Sequence, residues 1–310
     1  MSLYLPEGFI IKTEDNIKYL SSFENFKEAF KKGVPLEARA SSCDKEHNLH
    51  IDFGFIEGII PRGECAVGID EGTTRDIAII ARVNKPVKFI ITDIKEIDGK
   101  LTAILSRKIL QNRFYQLKLP EFKVGDIIDA AVTHLENFGV FCDIGSGINA
   151  LLPIDNISVS RIPHPNVRFS VGEKIKVIIK NIDEDNRVTL SHKELLGTWE
   201  ENAEIFSVGE TVSGIIRSVE NYGIFIELAP NLAGLAEYTS NVEVGQQASV
   251  YIKSIIPEKM KFKLIIVEAF EADYPKMKPN YFYNGSHIDY FKYSPDCSDR
   301  IIETFFNFLL

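Results

Sequence analysis

Positive charge is scarce in this chain: 35 Lys and Arg stand against 44 Asp and Glu, a formal net charge of -9 over 310 residues. That balance excludes a simple polycation that coats nucleic acid, although a local basic face remains open because charge acts over about a Debye length of 8–10 Å. Cysteine is sparse too. Cys43, Cys65, Cys142 and Cys297 lie far apart, with no Cys-x-x-Cys pair and no His at ligand spacing, so neither a zinc site nor a disulfide framework is expected. The longest strongly apolar stretch, 301–310, is about half of the roughly 20 residues that a membrane-spanning helix needs. The opening Met1–Glu7 has neither the basic nor the apolar region of a secretory signal. These absences lead to the expectation of a cytoplasmic, soluble protein with no metal and no cofactor. Phosphate-loop, dinucleotide-binding and nucleophile-elbow motifs are also missing, and the six histidines form no metal motif. The acidic run Asp183-Glu184-Asp185 reads as a solvated turn ahead of Asn186 rather than a nuclease site. The expectation is a protein that is not an enzyme.

What the chain does have is repetition. Val124-Gly125-Asp126, Val171-Gly172-Glu173, Val208-Gly209-Glu210 and Val244-Gly245-Gln246 each precede an alternating strand-like run: 127–134, 175–182, 212–219 and 248–255. Between the markers, Asn137-Phe138-Gly139-Val140-Phe141 matches Asn221-Tyr222-Gly223-Ile224-Phe225, and Asn149–Pro153 matches Ala233–Glu237. A third copy lies upstream, with His47 and His50 at the aromatic positions and an insertion, 62–82, containing the strand-like Ile77–Ile80. Five short antiparallel strands in about 70 residues suit a small closed Greek-key barrel, bent at Gly139 and Gly223. Ahead of the copies, 16–32 has helical apolar spacing and stops at Gly33. After them, 270–298 is dense in Tyr and Phe, including Tyr274, Tyr281, Phe282 and Tyr283. Beyond Ser298, Ile301, Ile302, Phe305, Phe306, Leu309 and Leu310 form one stripe of a short helix.

These motifs resemble the S1-type RNA-binding domain, an OB-fold module. In the middle copy the matching residues are Val124-Gly125-Asp126, Phe138-Gly139-Val140-Phe141, Leu151-Leu152-Pro153, Val171-Gly172-Glu173 and Arg187-Val188-Thr189-Leu190-Ser191. The Arg161-Ile162-Pro163-His164-Pro165 loop and Trp199, where the family often carries a Trp between modules, add to the likeness. The fold class expected is mainly β: tandem five-stranded OB-fold barrels with a short N-terminal helix and a tail ending in a helix. The divisions expected are 1–32 helical, 33–109 a degenerate barrel with its insertion, 122–193 and 206–268 two barrels, and 269–310 the tail.

The resemblance implies a single-stranded RNA binder acting on mRNA or in translation, with the ribosome as a further partner. It places Phe138, Phe141, Tyr222 and Phe225 on the outer surface as base-stacking platforms; the competing reading makes one aromatic of each pair core. Arg161, Arg168 and Arg187 are expected along the phosphates with His164 beside them, Arg187 at a position where the family contacts RNA. Charge counts alone do not carry this, since 122–196 holds eight Lys and Arg against ten Asp and Glu and 206–268 five against seven; placement decides. The chain departs from the family where a His often follows the third strand: Pro61, Pro153 and Glu237 stand there, which disfavours RNA on the last copy. The alternative function is a protein–protein adaptor docking through its barrels and aromatic tail.

Overall fold

The computed structural model describes residues 4–272, 276 and 278–306. Tyr274, Leu309 and Leu310 of the predicted aromatic tail and helix lie outside them, as do Met1–Leu3. The described residues form two compact units, one from Met1–Phe122 with Asp129–Thr133 and Cys142–Ala150, the other from Lys123–Ile128, His134–Phe141 and Leu151–Leu310. Among the described residues no helix is long and apolar enough to cross a membrane.

The N-terminal segment makes two helices where one is expected: α1 (Glu14–Tyr19) and α2 (Phe23–Lys32). Ser22 divides them. Its backbone is extended and its hydroxyl accepts from the Asn25 N–H at 3.3 Å, an N-cap that starts a new helix. Gly33 closes α2 at φ 61°, the left-handed turn foreseen for it. Phe26 and Ala29 carry the buried face of α2 into the first sheet's core, against Phe89, Leu36 and Ile51.

That sheet contains β1 (Leu36–Arg39), β2 (Ser42–Cys43), β3 (Leu49–Asp52), β4 (Glu57–Ile60), β5 (Pro86–Ile97) and β6 (Lys100–Ser106), in the order β1-β5-β6-β4-β3-β2. Its two edges are the halves of one bent strand, interrupted at Ala40-Ser41. Ala40 N–H bonds toward Lys85 while Ser41 N–H donates to His50, so the chain passes at this point from one edge of the six-stranded sheet to the other. Ile77–Ile80, expected as strand-like, is instead the one-turn helix α3. A four-residue apolar run carries no usable period, and the helical turn buries Ile79 while leaving Ile77 and Ile80 exposed. The helix α4 (Lys108–Arg113) follows β6.

The other two copies close fully. The middle barrel joins β7 (Ile127–Glu136), β8 (Gly139–Gly145), β9 (Ile148–Pro153), β10 (Lys174–Ile182) and β11 (Val188–Ser191) in the order β10-β11-β9-β8-β7. The helix α5 (Trp199–Ala203) comes next, held by a capping box between Thr198 and Glu201, with Trp199 buried against Phe262. The third barrel repeats the connectivity with β12 (Thr211–Glu220), β13 (Gly223–Ala229), β14 (Leu232–Ala236), β15 (Gln247–Ile256) and β16 (Lys261–Phe270), in the order β12-β13-β14-β16-β15. The fold is mainly β, built from OB-type barrels.

The tail corrects the sequence reading. In place of a helix after Ser298, β18 (Glu303–Phe305) pairs antiparallel with β17 (Tyr290–Lys292). Ser298 hydrogen-bonds both the N–H and the carbonyl of Arg300 instead of capping a helix. The apolar residues of this stretch are β-branched or aromatic, types that suit a strand once a partner is present. The pairing sets Phe305 against Tyr290 at 4.8 Å and buries Phe306 among Ile178, Leu195 and Ile288.

Upstream, Tyr281 fastens the tail: its hydroxyl accepts from the Lys176 N–H at 3.1 Å and lies 3.3 Å from His192 Nε2, while His192 Nδ1 faces the Ile157 carbonyl at 3.1 Å. Burial, aided by the charge of Arg168, pushes His192 down to about 4. The neutral ring donates from Nδ1 and accepts from Tyr281, and it gains a proton on unfolding at any pH between about 4 and its ordinary value. Stability is therefore expected in full above the ordinary histidine range. It falls as pH drops toward 4, by up to about 3 kcal/mol at roughly 1.4 kcal/mol per pKa unit. Urea unfolding at pH 7 and 4.5, in the wild type and in His192→Gln, measures this; the variant should lose that part of the slope.

Candidate nucleic-acid interface

The aromatic pairs occupy one geometry in both closed barrels. Phe138 ends the turn after β7 with 55% of its surface exposed, Phe141 is half-buried on β8, and their rings meet edge to face at 6.1 Å. Tyr222, 72% exposed, and half-buried Phe225 repeat this at 6.0 Å. Such contacts hold the rings while leaving the outer ring's faces open. The intervening glycine is required by crowding: a Cβ on Gly139 would lie 2.5 Å from the Leu152 carbonyl oxygen, and one on Gly223 2.6 Å from that of Ala236. The end of β9 closes on the same spot, where the Ile154 N–H donates to the Phe138 carbonyl at 2.9 Å.

Strand register adds residues that the sequence comparison missed. Thr189 of β11 pairs with Leu151 in the middle barrel, and Lys263 of β16 pairs with Leu235 in the third. Lys261 thus stands where the middle copy has Arg187, and Lys263 where it has Thr189. One cross-strand row runs Ser218, Phe225, Leu235, Lys263, Ser254, so an exposed lysine shares a face with Phe225. Aligning Arg187-Val188-Thr189 with Lys261-Phe262-Lys263 would have revealed both. Glu237 is exposed and comes next along β14's line, next to this face. Arg187 itself projects into solvent, 79% exposed at its side chain, with only a loose 3.5 Å approach to Asp185.

The loop carrying Arg161, His164 and Arg168 is divided in its roles. Arg161 is exposed. His164 Nδ1 accepts from the Asn166 N–H at 3.0 Å and caps a short turn, its ring half-exposed. Arg168 points the other way: it is buried, makes a two-pronged pair with Glu227 at 2.7 and 2.8 Å, and donates to the Pro230 carbonyl. Arg217 clamps Glu227 from the other side at 2.7 Å. The structure thus keeps Arg168 inside the fold, apart from the exposed Arg161 and Arg187, because a fully buried carboxylate needs paired charge. In the first copy the ring nitrogens of His50 face Asp44 at 3.1 Å and Glu57 at 2.8 Å. Burial opposes its charge, but the two carboxylates outweigh that and hold its pKa up.

Comparison with known proteins follows the same lines. The S1 RNA binding domain family matches residues 121–193. The chain is similar to the small ribosomal subunit protein bS1 of Staphylococcus epidermidis, 32% identical over 277 residues, 84% of this chain and 68% of that one. It is also similar to the bS1 homolog of Bacillus cereus, 30% identical over 302 residues, 87% of this chain and 76% of that one. Among solved structures, a multidomain protein with nucleic acid binding domains from Streptococcus pneumoniae aligns over 77% of this chain and 75% of its own, at 12% identity and a TM-score of 0.25.

Proposed function

This chain belongs to the small ribosomal subunit protein bS1 family, and we propose that it binds single-stranded RNA without catalysis, acting on mRNA in translation at the ribosome. The observation that carries the reading is the duplicated platform: an exposed aromatic edge to face with a second ring in two barrels of one connectivity, with Lys263 two strands from Phe225 in the same cross-strand row and Arg187 just ahead of β11 in the middle barrel. Single-stranded nucleic acid is held by base stacking together with positive charge along the backbone. Phe138 and Phe141 with Arg187 and Arg161 form the middle site. Tyr222 and Phe225 with Lys261 and Lys263 form the third, and Glu237 makes it the weaker of the two. In this reading 33–109, 122–193 and 206–268 are the barrel units, and the first, with its carboxylate-clamped His50, does not stack bases.

Fluorescence anisotropy of a labelled single-stranded RNA of about 15 nucleotides tests the proposal. Four cations, each on one phosphate, give a log–log salt slope of about -3 at roughly -0.7 per contact. Affinity should therefore fall about fiftyfold between 50 and 200 mM salt. Failure to bind several RNA sequences at low salt would overturn the proposal and favour the protein-docking alternative.

A further inference from the structure

A groove of about 540 Å³ opens beside the middle barrel's stacking turn, lined by Ile154, Asp155, Ser158–Ile162, Lys193, Arg300 and Ile302. Arg161, Lys193 and Arg300 bring three positive charges to it, against one carboxylate, Asp155, in a chain whose net charge is -9. Arg161 and Arg300 are exposed, and among the described residues neither guanidinium has a hydrogen-bond or ion-pair partner. Lys193 Nζ donates to the Asp155 backbone carbonyl at 3.1 Å. Three positive charges set against one carboxylate leave a net repulsion, which a bound anion relieves.

The position of Arg300 is fixed by the fold. Ile302 N–H donates to Ser294 Oγ at 2.9 Å, its carbonyl accepts from Tyr293 N–H at 2.9 Å, and Thr304 Oγ1 donates to the buried Glu194 at 2.9 Å. The tail strand is thereby pinned to the turn that carries Lys193. At the other end, Ile154 connects the groove to Phe138 through its 2.9 Å hydrogen bond.

We infer that this groove is a phosphate-binding station for the RNA that stacks on Phe138, and that the tail, through Arg300, completes the middle barrel's RNA site. The inference rests on the RNA-binding reading above. It gives Arg161 its partners and the tail a role beyond packing. A nucleotide next to the stacked base would lay its phosphate between the two guanidinium groups, with Ile154 and Ile302 against its sugar.

The test is the same anisotropy titration, on the full chain, with Arg161→Gln/Arg300→Gln, Arg300→Lys and Phe138→Ala/Phe141→Ala beside wild type. The double Gln variant should fold as wild type does, since both side chains are exposed and unpartnered. Its affinity at low salt should fall about tenfold, and its salt slope should shrink by about 1.4, two contacts at roughly 0.7 each. Arg300→Lys, which keeps the charge, should retain most of the slope. An unchanged slope and affinity in the double Gln variant, alongside lost binding in the Phe variant, would overturn the groove while leaving the stacking site intact. Unchanged binding in the Phe variant would instead count against the stacking site itself.

Discussion

Replacing Phe138 and Phe141 together by alanine is expected to weaken binding of a 15-nucleotide single-stranded RNA by at least thirtyfold, with the salt slope almost unchanged. Stacking of a base on an aromatic side chain contributes roughly 1–3 kcal/mol by alanine substitution, so two platforms amount to at least about 2 kcal/mol. The charges that set the slope, Arg161, Arg187, Lys261 and Lys263 together with Arg300 of the groove, stay where they are in this variant. That separation of affinity from slope is the informative part, because a loss caused by unfolding of the barrel would reduce both. The two rings differ in what their loss does to the fold. Phe138 is mostly exposed and meets Phe141 edge to face, so Phe138→Ala alone should change the unfolding free energy by only a few tenths of a kcal/mol. Phe141 is half-buried on β8, and part of its effect passes through packing. Tyr222→Ala/Phe225→Ala should give a smaller loss, since Glu237 lies next to that face.

The barrels were legible because a repeat is visible without knowing any partner. The Val-Gly markers, the aromatic–glycine–aromatic triplets and the alternating runs recur at matched offsets, and the strands at 127–136, 174–182, 211–220 and 247–256 follow them. What escaped the sequence depends on contacts far along the chain. Nothing near Arg168 announces that its partner is Glu227, 59 residues away. The run Ile77–Ile80 and the tail after Ser298 are too short for period to separate helix from strand. The outcome there was decided by the core that Ile79 enters and by the strand that 303–305 finds at 290–292. Lys263 was missed for a different reason: Lys261-Phe262-Lys263 was not set against Arg187-Val188-Thr189, and the strand pairing that puts Lys263 in one row with Phe225 makes the correspondence plain.

The aligned acidic position offers a further instance. Asp143 and Glu227 occupy the same place in the repeat, and both are buried. Glu227 is held by Arg168 and Arg217. Asp143 accepts from the backbone N–H groups of Glu7, Gly145 and Gly147. Burial, with the charge of Glu7 added, pushes its pKa up to about 6. An acidic residue in a strand that is otherwise apolar on its inner face had a structural task in each copy, and the phosphate-centred reading of the neighbouring arginines overlooked it.

Glu7→Ala is expected to destabilise the first unit by about 3–5 kcal/mol, the usual cost of removing one partner from a buried ion pair. Glu7 is the junction of that cluster. Its carboxylate receives Arg107 through two nitrogens at 2.6 and 3.0 Å, the Lys88 backbone N–H at 3.0 Å and, at 3.4 Å, Arg82. Arg107 is itself buried and also donates to the Cys65 and Gly147 carbonyls, so it cannot turn outward to water when Glu7 is lost. A double variant, Glu7→Met/Arg107→Met, should recover part of the loss by removing the stranded charge; full recovery is not expected, because the Lys88 N–H loses the Glu7 carboxylate and the Cys65 carbonyl loses Arg107. The pH dependence has a defined sign. Burial alone would raise the Glu7 pKa, but the charge and hydrogen bonds of Arg107, with Arg82 and the Lys88 N–H, hold it below the usual carboxylate range. Its stabilisation is therefore present above that range and disappears as pH falls through the folded-state value. Urea unfolding of wild type and Glu7→Gln should show a wide gap at pH 7 that narrows as pH falls below the usual carboxylate range and wild-type Glu7 takes up its proton. A gap independent of pH would mean that the role of Glu7 is packing and not charge.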